Sequence, residues 1–118
     1  MTTGRKALII DDEEGLVSVL TMFLEDLEIE VTSFESVDQY LSSNAKSDLP
    51  GYAFMVIDQN LPGTKGLDFI FSLSSEEFPQ KVIISSGETI QDERLENLSN
   101  VMVLNKPFDF NSLEGIFS

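Results

Sequence analysis

Short apolar runs alternate along this chain with longer segments in which apolar residues recur every three or four positions. Lys6-Ala7-Leu8-Ile9-Ile10 is the first run, and Ala53 to Ile57, Val82-Ile83-Ile84-Ser85 and Val101-Met102-Val103-Leu104 share its character. Runs this short, rich in β-branched residues and bounded by turn formers, predict strands. Because they are apolar at consecutive positions, they predict strands buried on both faces, as in a parallel sheet. Glu30-Val31-Thr32-Ser33-Phe34 is a weaker strand of the same kind.

The intervening segments carry the helical period. From Glu13 to about Leu27, the residues Leu16, Leu20, Phe23, Leu24 and Leu27 fall on one stripe. Glu13 and Glu14 lie in its first turn, where they suit the helix dipole. Ser36 is expected to cap a polar helix that turns Val37, Tyr40 and Leu41 inward. Residues 44–51 read as loop. A third helix opens at Gly66 and must finish before Pro79; Phe69 falls off its inward stripe and is a candidate for a contact patch. Gln91 to Leu98 leaves room for a short helix only. Asn111 or Ser112 is expected to cap a last helix with Leu113, Ile116 and Phe117 inward.

Strand and helix alternate throughout, which predicts an α/β fold: a doubly wound, five-stranded parallel sheet with helices on both faces and right-handed crossovers. Residues 1–118 read as a single domain without internal repeats. The last helix is short, as expected of a chain excised from a longer protein.

Composition narrows the chemistry. The 118 residues include no cysteine and no histidine, which excludes disulfides, thiolate metal sites, the usual general base and phosphohistidine on this chain. Seven basic against 21 acidic residues give a net charge of −14. A field of that sign repels nucleic acid and anionic membranes, and much of it serves solubility. No apolar run approaches the ~20 residues of a membrane span. The N-terminus lacks the layout of a signal peptide, so the expected location is cytoplasmic.

Functional groups stand where the predicted strands end. Asp11 and Asp12 follow the first strand, Asp58 ends the third, Ser86 follows the fourth and Lys106 the fifth. In a parallel sheet these ends share one rim, the edge at which open α/β folds bind ligands. Asp11, Asp12 and Asp58 together would repel one another unless a hard cation joined them, and Mg²⁺ or Mn²⁺ suits an all-oxygen site. Neither glycine-rich phosphate motif is present, and the acidic turn after the first strand opposes a nucleotide pyrophosphate. A carboxylate beside such a metal suggests phosphoryl transfer onto Asp58, with Lys106 and the Ser86 hydroxyl meeting the charge on the transferring oxygens.

Taken singly, each residue has an ordinary structural explanation: turn closure for Asp58, helix capping for one of Asp11 and Asp12, a routine turn for Ser86-Gly87, a solvated end for Lys106. Their convergence on one edge favours function. The motifs Leu8-Ile9-Ile10-Asp11-Asp12-Glu13, Val56-Ile57-Asp58-Gln59-Asn60-Leu61-Pro62-Gly63 with Gly66, Ile84-Ser85-Ser86-Gly87 and Asn105-Lys106-Pro107-Phe108 occur in this order. Together they resemble the receiver (phospho-acceptor) domain of bacterial two-component response regulators, over Leu8 to Phe117.

The resemblance implies a flavodoxin-like sheet of order 2-1-3-4-5 and a phosphorelay role. Asp58 matches the phosphorylated aspartate, supplied by a partner histidine kinase or histidine phosphotransfer domain. Asp11 and Asp12 match the pair that positions Mg²⁺, and Asn60 the residue whose backbone carbonyl completes its shell. Ser86 matches the switch hydroxyl and Lys106 the phosphate-binding lysine. The side chains of Asn60 and Glu88 match the positions that tune hydrolysis, and polar groups there imply a short-lived phosphorylated state. An output domain or downstream protein is the further partner implied. Gln59, Thr64 and Lys65 are expected at the rim, within reach of the kinase, and Phe108 beneath the lysine loop.

The chain also departs from the family pattern. Val103 stands where relatives carry a switching Tyr or Phe, Asn105 where they are commonly apolar, and the stretch from Ser86 to Lys106 is short. Val103 implies that the signal leaves by another route, and the short stretch implies an abbreviated fourth helix. Two rivals follow. A degenerate receiver would act as a phosphorylation-independent binding module. An aspartyl-nucleophile phosphatase would need an acid where Asn60 stands, and an amide cannot transfer the proton.

Overall fold

The computed structural model describes residues 4–117, apart from the Phe110 side chain. Five strands form one sheet: β1 (Lys6–Ile10), β2 (Glu30–Phe34), β3 (Phe54–Asp58), β4 (Lys81–Ser86) and β5 (Val101–Asn105). All neighbours pair in parallel, in the order β2-β1-β3-β4-β5. The expected sheet and its order are therefore both present. Strand alternation sends side chains to two separate cores. One face buries Leu8, Ile10, Met55, Ile57, Val82 and Ile84 beneath α2 (Val37–Ser43) and α3 (Gly66–Phe71). The other buries Ala7, Ile9, Phe54, Val56 and Ile83 beneath α1 (Glu14–Asp26) and α4 (Phe110–Phe117). Every residue of β3 is buried, which explains its lack of polar alternation before Asp58.

Several local expectations hold and several change. Ser36 caps α2, its hydroxyl accepting from the Gln39 N–H at 3.0 Å. Leu113 and Phe117 are buried as expected, and the Phe117 ring meets Phe54 edge-on at 4.8 Å. Leu41, expected inward, is 39% exposed, because only Val37 and Tyr40 of that helix reach the sheet. Residues 44–51 are not plain loop: Lys46–Gly51 winds into a 3₁₀ turn that buries Leu49. Its entry is fixed by the Asp48 carboxylate, which accepts from the Ala45 N–H. Phe69, read with the other aromatics as core but singled out as a candidate for a contact patch, is 2% exposed and belongs to the core; α3 ends at Phe71, a helix too short for a regular stripe. The last helix starts earlier than expected. Asp109, not Asn111 or Ser112, holds its start, accepting from the Asn111 N–H at 2.8 Å.

The segment between β4 and β5 is abbreviated, as the residue count implies: a 3₁₀ turn, Glu93–Asn97, stands in place of a helix. It lies against α3 through Arg94, whose guanidinium stacks 3.9 Å over the Phe71 ring. With so little above it, β5 is half-buried from Val101 to Leu104. None of the described helices is long and apolar enough to cross a membrane.

Candidate functional site

The site lies where the strand order reverses, between the carboxyl ends of β1 and β3. The register sets Ile10 beside Ile57 and Ile57 beside Ile84, so Asp11, Asp58 and Ser85 follow at one level. Asp11 and Asp58 are buried at 3% and 5% exposure, while Asp12 is exposed. Carboxylate oxygens of the three lie within 4.8 Å of one another. The chain reaches this geometry through local turns. The Asp11 carboxylate accepts from the Glu13 N–H at 2.9 Å, which turns the backbone into α1 and leaves Asp12 facing solvent.

On the β3 side, the Asn60 N–H donates to Asp58 Oδ1 at 3.2 Å. The turn then closes on Gly66: a Cβ there would fall 2.6 Å from the Asp58 carbonyl oxygen, so only glycine lets α3 begin so close to Asp58. Gln59 does not reach out from the rim, because its side-chain oxygen accepts from the Leu67 N–H at 2.7 Å and fixes that start. The Lys65 ammonium donates to the Leu61 carbonyl at 3.2 Å.

Lys106 arrives from the end of β5. Its N–H donates to the Ser86 carbonyl at 2.7 Å, and the peptide it shares with Pro107 is cis. The ammonium lies 3.3 Å from Asp11 Oδ2, 3.5 Å from Asp58 Oδ1 and 3.5 Å from Glu13 Oε2. Glu13, which sequence reasoning treated as a helix-dipole residue, is thus a third anion beside the lysine; its place directly after the acidic pair was the available signal. Burial works against the Lys106 charge, yet Asp11 and Asp58 outweigh it and hold the ammonium above its usual pKa. Asp11 is raised from the ordinary carboxyl value, chiefly by burial and further by Asp58, against the relief from the Glu13 N–H and Lys106. Excess negative charge at a buried all-oxygen site is the condition under which a divalent cation binds.

Ser86 is also at this edge, 2% exposed, with its hydroxyl accepting from the Glu88 N–H at 3.1 Å. Asn60 and Glu88 are exposed. The structure therefore brings Asp11, Asp12, Asp58 and Lys106 into one cluster, with Ser86 at the end of β4 and Asn60 and Glu88 in the turns that follow β3 and β4. Phe108 is half-buried against the α1–α4 core, and Val103 half-buried in β5.

A family model described as the response regulator receiver domain matches residues 7–117. The chain belongs to that family. Among solved structures, this receiver is similar to a CheY-like response regulator receiver domain from Methylobacillus flagellatus, at 30% identity and a TM-score of 0.75, over 95% of this chain and 94% of that one. It also resembles the receiver domain of a sensor histidine kinase from Pseudomonas aeruginosa, at 22% identity and a TM-score of 0.74, over 98% and 95% of the two chains. That relative carries a magnesium ion in its active-site cleft. A third likeness is a receiver domain protein from Bacillus halodurans, at 18% identity and a TM-score of 0.79, over 98% and 95% of the chains. No curated protein sequence matches this receiver significantly.

Proposed function

We infer that this receiver accepts a phosphoryl group on Asp58 from the phosphohistidine of a partner kinase or phosphotransfer domain, and then hydrolyses it. The observation that carries the reading is the Lys106 ammonium within 3.5 Å of both Asp11 and Asp58, at the mouth of a three-carboxylate cluster. A cation bridging two carboxylates at a sheet edge is suited to following the charge when one of them is esterified.

The donor set fits Mg²⁺: three carboxylates converge, and burial with mutual repulsion strains Asp11 as an anion. Asp11, Asp12 and Asp58 would hold the ion, with the Asn60 backbone carbonyl as a further oxygen. Mg²⁺ held there would supply charge neutralisation for the transferring phosphoryl group. One Asp58 oxygen attacks phosphorus, the bond from phosphorus to the donor imidazole nitrogen breaks, and that nitrogen keeps the electron pair. Lys106 leaves Asp58 for a phosphoryl oxygen. The Ser86 hydroxyl, now bonded to the Glu88 N–H, turns to another, freeing the segment that leads to β5. With Val103 in the aromatic's position, this segment is the route by which the change leaves the site. Asn60 and Glu88 orient the water that attacks phosphorus in hydrolysis.

The test is incubation with acetyl phosphate and Mg²⁺, followed by intact mass. One added phosphoryl group is expected, absent in Asp58→Ala and absent without metal. No mass gain in the parent protein overturns the reading and leaves the phosphorylation-independent binding module in its place.

A further inference from the structure

Ser85 is the residue of β4 that the mechanism above does not use. It is fully buried, and its hydroxyl has no hydrogen-bond partner among the described residues. Left unpaired in a core, a hydroxyl is costly, and cores rarely keep one without a use. Its position is specific. Ser85 pairs in register with Asp58, and adjacent strands lie roughly 4.8 Å apart. Ile83 belongs to the α1–α4 core and Ile84 to the opposite one, so alternation puts Ser85 on the Asp58 face and Ser86 on the other. On its far side Ser85 meets Leu104, which offers no polar group.

Resting on the phosphoryl-acceptor reading, we propose that Ser85 is a positioning residue for Asp58, a buried donor that replaces Lys106 while the lysine is on the phosphoryl group. In the unphosphorylated state Asp58 Oδ1 is served by the Lys106 ammonium and the Asn60 N–H. In the mechanism above Lys106 leaves that carboxyl for the transferred group. Once it moves, the Ser85 hydroxyl is an unengaged donor in register with Asp58 on the same face of the sheet. When water attacks phosphorus, the bond to the Asp58 oxygen breaks and the carboxylate leaves with the electron pair. A donor fixed on that carboxyl stabilises the developing charge and accelerates release. Ser85 exchanges no proton and forms no covalent bond; it acts only through Asp58.

The experiment compares the parent chain with Ser85→Ala and Ser85→Thr. Each is phosphorylated with acetyl phosphate and Mg²⁺, the donor is removed, and the phosphorylated fraction is followed by intact mass. Thermal unfolding of each unphosphorylated, metal-free protein is recorded alongside. Ser85→Ala is expected to lengthen the phosphorylated half-life about three- to tenfold, the range of one ordinary hydrogen bond, because the charge on the carboxyl is only partly developed in the transition state. It is also expected to melt no lower than the parent, because an unpaired hydroxyl has been removed. Ser85→Thr keeps the hydroxyl and restores the parent half-life. If threonine overpacks the site and lowers the melting point, the Ser85→Ala pair of measurements decides alone. An unchanged or shorter half-life in Ser85→Ala overturns the proposal, as does a clear loss of stability, which would mean that the hydroxyl already has a partner. Failure of the parent to take up a phosphoryl group is a different result, and refutes the acceptor reading itself.

Discussion

Replacing Lys106 by Met keeps the length and apolar stem of the side chain and removes its charge. In the metal-free protein the change leaves two carboxylates without their cation, and their side chains are 1% exposed at Asp11 and 7% at Asp58. Removing one partner of a buried ion pair costs about 3–5 kcal/mol. Two features lower that figure. The lysine side chain keeps 21% of its surface exposed, and its contacts of 3.3–3.5 Å are longer than tight charge-assisted bonds. The expected loss is therefore about 2–3 kcal/mol at pH 7, which lowers Tm by on the order of 10 °C.

The pH dependence has a definite sign. Asp11 holds its proton more tightly in the folded chain than an ordinary aspartate, whose pKa is 3.8, because of burial first and Asp58 further. The folded state thus binds more protons in the window above 3.8, so stability falls as pH rises through it and the full penalty stands at neutrality. Without Lys106 that window widens, and the deficit of Lys106→Met shrinks as the solution is acidified. In the parent, Lys106 is raised above 10.5, so its contribution is present below that value and is lost at higher pH. Mg²⁺ should substitute for the missing ammonium: at a hundredfold over Kd, binding adds about 2.7 kcal/mol. Urea titrations at pH 7 and pH 5, with and without Mg²⁺, measure all of this. Equal stability of Lys106→Met and parent in the metal-free state would refute the reasoning, as would a loss indifferent to both pH and Mg²⁺.

Asp11→Asn removes the buried charge while keeping the acceptor for the Glu13 N–H; it should raise Tm without metal and weaken the stabilisation by Mg²⁺, both visible in one set of melts. Gly66→Ala drives a Cβ against the Asp58 carbonyl and should cost about 1–3 kcal/mol in urea unfolding, with phosphorylation slowed because the acceptor's turn must shift. Asn60→Ala and Glu88→Ala should each slow phosphate release in a time course; rates equal to the parent's would remove both residues from the hydrolytic step.

Much of this was legible in the chain because the signals are local and reinforce one another. Four apolar runs and one weaker strand, with helical spacing between them, admit few architectures other than a covered parallel sheet. Carboxylates, a hydroxyl and a lysine at the ends of those runs then fall on one edge by topology alone. Local patterning failed where elements are short. A helix of six residues has no dependable stripe, which is why Phe69 could be singled out as a contact-patch candidate, and the Lys46–Gly51 turn is built by one side-chain cap in a polar stretch that carries no period.

What the sequence determined by itself was the sheet, its enclosed strands and the set of groups at its carboxyl edge, since strand pattern and residue type are properties of neighbours along the chain. What only the tertiary structure decided was strand register and the partner of each side chain. It set Ser85 rather than Ser86 on the face of Asp58, drew Glu13 into the reach of Lys106, and turned Gln59 inward to hold α3. The first two depend on contacts between segments tens of residues apart and the third on a turn closing across eight residues, where ångström-scale offsets choose the partner and no local pattern records the choice.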